Sequence, residues 1–294
     1  MRTPTTYLCL ALASLAVGGC QQMIDLGEEG STQLLIESRL QVGAPVEVSM
    51  RVINSFGEVT PSSALTETTG RIEGSDGSSG LLYVHTAGTS SAILRLDSVD
   101  VAEGVTYTLS LETPGFAALR SLTTVPRGVD IDAPPPTTDG GQESRPDSSF
   151  LSARLYFEDI PGEDSYYHVI VKIVDEGDTA ASALPVPVDL ISAGSGAVVG
   201  TAGTWLFDDR EFADGAFDAR LRVSSSALYA MQRPTAIVEV RTVSRSYFSF
   251  AQAELKRDNS RIGQGVGAAT RDNVVGGGGL FASYASTTVR RPLY

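Results

Sequence analysis

Apolar residues recur at every second position in several short segments, and this alternation constrains the fold more than any other feature of the sequence. In residues 46–52, valine and methionine alternate with charged or polar residues, and residues 105–111 repeat the pattern with valine, tyrosine and leucine. Successive side chains of a β-strand point to opposite faces, so each segment has one apolar and one polar face. The pattern predicts antiparallel strands that bury one face.

Turns rich in Gly, Ser and Asp separate these segments, as in residues 74–77. Short strands at regular spacing with such turns between them are typical of a β-sandwich. The sequence therefore predicts an all-β fold that begins with an immunoglobulin-like β-sandwich over residues 32–131. Its expected strands lie at residues 33–40, 46–52, 81–85, 92–96 and 105–111.

The composition changes at residues 132–149, which contain three consecutive prolines and then mainly Gly, Ser, Thr and charged residues. Such a segment has little to bury, so we expect an interdomain linker. Residues 150–294 then predict a second antiparallel β domain with one short helix at residues 246–256, where apolar residues recur every three or four positions. Its expected strands lie at residues 151–157, 166–174, 217–223, 235–243 and 280–290.

The N-terminus predicts export and lipidation. Arg2 precedes an apolar run at residues 7–17, which ends in small residues directly before Cys20. A run of this length is typical of a signal peptide and is too short to span a bilayer. We interpret residues 1–19 as a lipoprotein signal peptide, Cys20 as the lipidated residue and residues 20–31 as the lipidated tether. An ordinary secretory signal with a chance cysteine is the alternative.

Charge and cysteine content exclude several classes of function. The chain has a formal charge of −13 and only two cysteines, Cys9 and Cys20. Cys9 lies in the predicted signal peptide, so the exported domains have no thiol for catalysis or for binding zinc. The acidity argues against a nucleic-acid partner and against binding to an anionic membrane surface. The membrane contact that we expect is the lipid on Cys20.

The sequence predicts no catalytic residue and no cofactor. Its two histidines, His85 and His168, lie in different predicted domains, and no nucleophile elbow precedes either of them. The acidic segment around Asp208, Asp209 and Asp214 is a weak candidate for calcium, which binds six to eight oxygens; a solvated acidic turn is the interpretation that we favour. A hydrolase with an unrecognised carboxylate pair remains an alternative.

Two further features suggest contact surfaces or packing. Trp205 and Phe207 lie in a segment crowded with aromatic residues, and they are the side chains that we predict to contact a ligand or partner if they are exposed. Buried, they would be part of the core. The four glycines at residues 276–279 predict either a sharp turn with close packing before the last strand or a flexible docking loop.

Several segments, in their sequence and in their order along the chain, resemble the Bacteroidetes-type outer-membrane lipoproteins catalogued as domain of unknown function four-two-four-nine. The C-terminal motif at residues 273–282, Asn-Val-Val-Gly-Gly-Gly-Gly-Leu-Phe-Ala, is similar to the ending of that family. The other matching segments are residues 20–26, 34–37, 107–109, 124–126, 157–159, 166–167, 207–209, 212 and 215. The resemblance covers nearly the whole chain.

The resemblance implies a location and a context more than a chemistry. Lipoproteins of this family are commonly encoded beside TonB-dependent receptors, which implies an outer-membrane, cell-surface protein that assists such a barrel in nutrient uptake. A structural or adhesive surface protein is the second hypothesis, since tethered β-sandwiches suit cell-surface contact. The hydrolase is the third. Fold alone does not decide among them.

Overall fold

The computed structural model describes residues 32–54, 58–132, 150–175, 188–192, 199–201, 203–212, 215–224, 228, 231–259 and 273–293. Most of these residues lie in β-strands, which confirms the all-β prediction. The strands are β1 (Thr32–Gln41), β2 (Val46–Asn54), β3 (Thr69–Gly74), β4 (Ser79–Ala87), β5 (Ser91–Leu96), β6 (Thr106–Glu112), β7 (Leu119–Thr124), β8 (Phe150–Glu158), β9 (Tyr166–Asp175), β10 (Val188–Ser192), β11 (Val199–Thr201), β12 (Thr204–Asp208), β13 (Ala216–Ser224), β14 (Pro234–Val243), β15 (Val274–Val275) and β16 (Gly278–Pro292).

Three helical segments accompany the strands in the described residues. The helix α1 (Arg245–Asn259) follows β14, and short 3-10 helices cover Ser63–Glu67 and Asp209–Glu211. The helix α1 matches the predicted helix at residues 246–256. It is not long and apolar enough to cross a membrane, and the same holds for every helix in the described part of the chain.

Thirteen of the strands form one curled sheet in the order β11-β12-β9-β14-β16-β1-β2-β5-β4-β3-β6-β7-β15. The sheet folds back on itself at β4, whose residues 79–82 pair with β3 and whose residues 83–87 pair with β5. The apolar faces of β1, β2 and β5 therefore meet those of β3, β6 and β7. We call the resulting cluster the first core; Leu34, Val48, Ile72, Leu94 and Leu109 are among its buried members.

A second core lies between the other end of this sheet and a separate sheet of three strands. The three strands have the order β10-β13-β8, and apolar side chains of β8 and β13 pack against those of β9, β12 and β14. Phe157, Val169, Trp205, Phe217 and Val238 are buried there. Burial of each side chain of this size stabilises the fold by about 1.5–3 kcal/mol. The described residues contain no cysteine, so the two cores supply their main stabilisation.

The last strand, β16, belongs to both halves of the curled sheet. Residues 278–284 pair in parallel with β1, and residues 284–292 pair antiparallel with β14. Tyr284 stands at the change of partner, in register with Gln41 on β1 and with Val243 on β14. Phe281 is fully buried in the first core, while Val289 packs against the second. One continuous strand thus ties the two cores together.

The glycine motif allows β16 to approach its neighbours closely. Gly276 and Gly279 have positive φ angles of 86° and 118°. A Cβ atom on Gly279 would overlap the carbonyl oxygen of Ile36 on β1, and one on Gly276 would overlap that of Ala118. The motif is therefore a turn with close backbone packing, which was the first of the two predictions for these glycines.

Asn273, the first residue of the motif, holds the turn closed. Its side-chain amide donates to the carbonyl oxygens of Phe281 at 2.6 Å and Leu122 at 3.3 Å, and its side-chain oxygen accepts from the amide of Phe281 at 3.0 Å. These bonds satisfy backbone groups that the turn would otherwise leave unpaired. The resemblance in this segment therefore reflects a structural requirement.

All ten predicted strands are confirmed, whereas β3, β7, β10, β11, β12 and β15 were not predicted. The predicted segments correspond to β1, β2, β4, β5, β6, β8, β9, β13, β14 and β16. The parallel pairing of β1 with β16 was not predicted, because alternation along one strand carries no information about a partner more than 200 residues away. Nearly all of the predicted linker lies outside the described residues, so the domain division stays a prediction.

We predict that Gly279→Ala lowers the free energy of unfolding by about 3–5 kcal/mol, because the added methyl group forces β16 away from Ile36. Gly43→Ala is the matched control: Gly43 also has a positive φ, 71°, but a Cβ there meets open space. It should cost about 1 kcal/mol. Urea denaturation measures both, and equal losses would contradict the proposed role of the close approach.

Candidate functional site

The acidic residues proposed for calcium are engaged with protein donors. The carboxylate of Asp208 accepts from the guanidinium and the backbone amide of Arg210, and that of Asp209 accepts from the amide of Ser165 at 3.0 Å. Within the described ranges, no three metal-ligating side chains come together. Asp214 lies outside those ranges, as does Cys20, so calcium binding and lipidation stay predictions.

Trp205 and Phe207 are buried side chains of the second core, with exposures of 7% and 1%. Both point to the inner side of β12, where the rings of Phe207 and Phe217 stack at 4.5 Å between centroids. The structure therefore gives them the packing role that was the alternative interpretation, and a partner has no access to them in this folded form. The segment is rich in aromatic residues because it fills a core.

Tyr167 brings a polar atom into this aromatic core. Its ring packs against Phe157 at 5.2 Å, and its hydroxyl donates to the carboxylate of Asp159. Burial, together with the hydrogen bond to Asp159, raises the pKa of the Tyr167 hydroxyl. The hydroxyl therefore remains protonated and serves as a fixed donor at the rim of the core.

A second polar cluster lies on the opposite face of the curled sheet, beneath helix α1. It brings together His168 of β9, Arg241 of β14, Tyr247 of α1 and Tyr284 of β16. Alternation explains the placement: the odd-numbered residues of β9, such as Tyr167 and Val169, enter the second core, so His168 faces the helix. We call this group the helix cluster.

The hydrogen bonds of the helix cluster lead from Arg241 through the Tyr247 hydroxyl to His168. Arg241 has only donors, and its Nη1 donates to the Tyr247 hydroxyl at 3.1 Å. That hydroxyl is 2.9 Å from Nδ1 of His168 and donates its proton there. His168 is then the tautomer with the proton on Nε2, an atom that is buried and has no hydrogen-bond partner among the residues that the structure describes.

Burial sets the protonation of the helix cluster. Together with the positive charges of Arg241 and Arg39, it lowers the pKa of His168 to about 4, so the imidazole is neutral at pH 7. Burial also disfavours the charge of Arg241, but the bonds to Glu239 at 2.6 and 3.2 Å and to Tyr247 outweigh it and raise the pKa of Arg241. Arg241 therefore stays charged.

Arginine–aromatic contacts extend the helix cluster across the junction between β1 and β16. Arg39 of β1 lies 5.7 Å from the ring centre of Tyr247 and 5.6 Å from that of Phe250. Arg241 lies 4.7 Å from the ring centre of Tyr284, whose hydroxyl donates to Gln41 at 2.7 Å. Such cation–π contacts contribute about 0.5–2 kcal/mol each, depending on exposure. The helix cluster thus fastens α1 to the place where β16 changes partner.

The chemistry of the helix cluster favours structure over catalysis. A histidine with a pKa near 4 is a weak base at neutral pH, and its Nδ1 is already bonded to Tyr247. Sequence analysis singled out His168 but missed Arg39, Arg241 and Tyr247. The available signal was that these residues lie on the outward face of predicted strands or on the predicted helix. That position does not show which side chains come into contact.

An open cleft of about 500 Å³ lies at one end of the first core. The 3-10 helix Ser63–Glu67, the start of β3, the end of β6 and the loop before β7 form it. Glu67, Glu112 and Phe116 are among its lining residues. Its volume is in the range of small-molecule sites.

We predict that His168 makes the protein less stable in mild acid. Its pKa is lower in the folded state, about 4, than in the unfolded chain, near 6.5, so its stabilising contribution is complete above pH 6.5 and is lost as the pH falls to 4. The loss amounts to about 3 kcal/mol. His168→Gln should remove this part of the pH dependence in urea titrations, whereas the exposed control His85→Gln should leave it. An unchanged curve for His168→Gln would contradict the assignment.

We also predict that Tyr247→Phe lowers the free energy of unfolding by about 2 kcal/mol, because it deprives His168 and Arg241 of a buried hydrogen-bond partner. Tyr83→Phe, at an exposed tyrosine, should change it by less than about 0.5 kcal/mol. Hydrogen exchange should localise the loss of protection to α1 and to the neighbouring part of β16. Loss confined to other elements would argue against this role of the helix cluster.

Comparison with known proteins gives the family of the chain. No curated protein matches the chain. A family model described as Domain of unknown function (DUF4249) matches residues 22–290, which include both cores, the helix cluster and the glycine motif. The chain belongs to this family of unknown function, DUF4249.

Proposed function

We propose that this protein is a surface-exposed lipoprotein of the outer membrane, and that it is an accessory binding partner of a TonB-dependent receptor in nutrient uptake. The proposal joins three elements: a lipid anchor on Cys20, a folded β structure that presents surfaces, and a barrel in the same membrane. It assigns the protein a binding role and no reaction.

The sequence at the N-terminus carries the proposal. Charge, an apolar run and small residues precede Cys20, and only residues 21–31 separate it from the start of β1 at Thr32. Eleven residues span at most about 40 Å when fully extended. A lipid on Cys20 would therefore hold the β structure within one protein diameter of the membrane, where an integral barrel is within reach.

The polar groups of the described residues support a binding role. His168 is neutral and hydrogen-bonded to Tyr247. The carboxylates of Asp208 and Asp209 accept hydrogen bonds from donors within the protein. These groups stabilise the fold in the positions where they lie. What the molecule offers to a partner is its outer strand surfaces.

Lipidation is tested directly by metabolic labelling with an alkyne fatty acid in the native host. We predict that the wild-type protein is labelled and that Cys20→Ala abolishes the label, because Cys20 provides the thiol that is acylated. Cys9→Ala is the matched control, since Cys9 is the other cysteine of the chain and lies in the predicted signal peptide. Label that persists in Cys20→Ala would refute the anchor.

The partner is tested by affinity purification from outer membranes in mild detergent. An epitope tag fits the exposed turn at residues 161–163, between β8 and β9, whereas the C-terminus is unsuitable because Leu293 is buried. We expect a TonB-dependent barrel in near-stoichiometric amount. Recovery of the intact lipoprotein without a barrel would contradict the proposal and favour the adhesive alternative, in which deletion reduces attachment but leaves uptake unchanged.

A further inference from the structure

We infer that helix α1 is an acid-sensitive latch, and that protonation of His168 releases the helix from the sheet while both cores stay folded. The latch consists of the helix cluster, which joins α1 to β9 and β14, and of a hinge at the start of the helix. The inference concerns a change of conformation and does not depend on the proposed function.

The hydrogen bonds of the helix cluster require a neutral His168. The Tyr247 hydroxyl accepts from Nη1 of Arg241 at 3.1 Å and donates its single proton to Nδ1 of His168 at 2.9 Å. A protonated imidazole has hydrogens on both nitrogens and accepts no hydrogen bond. The hydroxyl would then face two cationic donors, and its own proton would lose the acceptor that it has now.

Protonation would also add a third positive charge to a site that already holds two. Arg241 is in register with His168 on the neighbouring strand, and Arg39 lies 5.7 Å from the ring centre of Tyr247. The other ionisable groups on this side of the sheet near His168 are Glu37, paired with Arg39; Glu239, paired with Arg241; Glu254 of α1, 4.0 Å from Arg39; Asp208 of β12, paired with Arg210; and the hydroxyls of Tyr166 and Tyr284. Each of these carboxylates has an arginine partner, so the new charge would lack a carboxylate of its own.

Burial beneath α1 keeps water from solvating this charge. Nε2 of His168 is buried and has no hydrogen-bond partner within the described ranges. A neutral imidazole tolerates such a place, whereas an imidazolium needs a counter-ion or water. This is the physical reason that the pKa of His168 is about 4 with the helix in place, against 6.5 in water. Release of α1 supplies the water.

The helix can leave without opening either core, because it packs on a separate apolar cluster. The buried members of this cluster are Val243, Tyr247, Leu280 and Ala282, and half-buried side chains such as Phe248 pack around them. Among the described residues, no side chain of α1 belongs to the first or the second core. Elements with few buried contacts of their own open at a lower free energy than the whole protein.

Ser244, the residue directly before α1, provides the hinge. Its hydroxyl oxygen accepts from the backbone amide of Ser283 on β16 at 3.1 Å, and its own amide donates to the carbonyl oxygen of Ser283 at 2.9 Å. These bonds hold the junction between β14 and α1 on the sheet and do not involve His168. The strand β16 therefore keeps both of its partners when the helix swings out, and Leu280 and Ala282 become exposed.

Native-state hydrogen exchange of the full-length protein in detergent tests the latch. For amides 250–255 of α1, we expect protection, relative to the intrinsic exchange rate at each pH, to fall about twentyfold between pH 7 and pH 5. The reason is that His168 titrates near 4 when it is held and near 6.5 when it is released. Up to about 1 M urea should hardly change this protection, because release exposes little surface, whereas the amides of β2 should lose protection with urea.

Two readouts separate release of the helix from unfolding of the protein. Trp205 is the only tryptophan of the chain and is buried in the second core, so its fluorescence should stay constant between pH 7 and pH 5. Equal urea dependence for the amides of α1 and β2, or a shift of the Trp205 emission together with the loss of protection in α1, would overturn the inference. In either case the helix would open only when the whole protein unfolds.

Substitution of His168 tests the trigger. The amide oxygen of His168→Gln can accept from Tyr247 but does not titrate, so the protection of α1 should change less than about twofold between pH 7 and pH 5. His85→Gln, at an exposed histidine of β4, is the matched control and should keep the twentyfold change. A twentyfold change in His168→Gln would overturn the inference. If this variant does not fold, NMR titration of the wild-type protein decides: the His168 ring and the amides of α1 should share one midpoint, and different midpoints would overturn it.

Discussion

The parallel pairing of β16 with β1 is the constraint on which the rest of the structure depends. It brings the last described strand of the chain beside the first, and the same strand then continues into the sheet that covers the second core. The pairing is possible because Gly279 has no side chain at the point where its backbone meets Ile36. Without it, β1 would be an open edge and the two cores would be joined only by the intervening chain.

The helix cluster lies at the same junction and holds two arginines, Arg39 and Arg241, against aromatic rings. Tyr284 is the residue at which β16 changes partner, and it contacts Arg241, Tyr247 and Gln41 together. Each arginine is paired with a glutamate on its own strand, Arg39 with Glu37 and Arg241 with Glu239. These hydrogen bonds and ion pairs fix one arrangement of helix and sheet, because displacing either element would break several of them at once.

The segments of the molecule that most resemble the family have structural roles. The motif that most resembles the family, residues 273–282, and the helix cluster are occupied with holding the sheet together.

The sequence by itself determined the class of fold, because a period of two in the apolar residues is a property of each strand alone. It also located the helix and the close-packed glycines, since helical spacing and consecutive glycines are local signals. It did not determine that Trp205 and Phe207 are buried or that β1 pairs with β16. Nor did it show that His168, Arg241 and Tyr247 meet beneath one helix. Tertiary structure decided these points, because burial and contact depend on which distant strands become neighbours, and alternation is the same for every possible pairing.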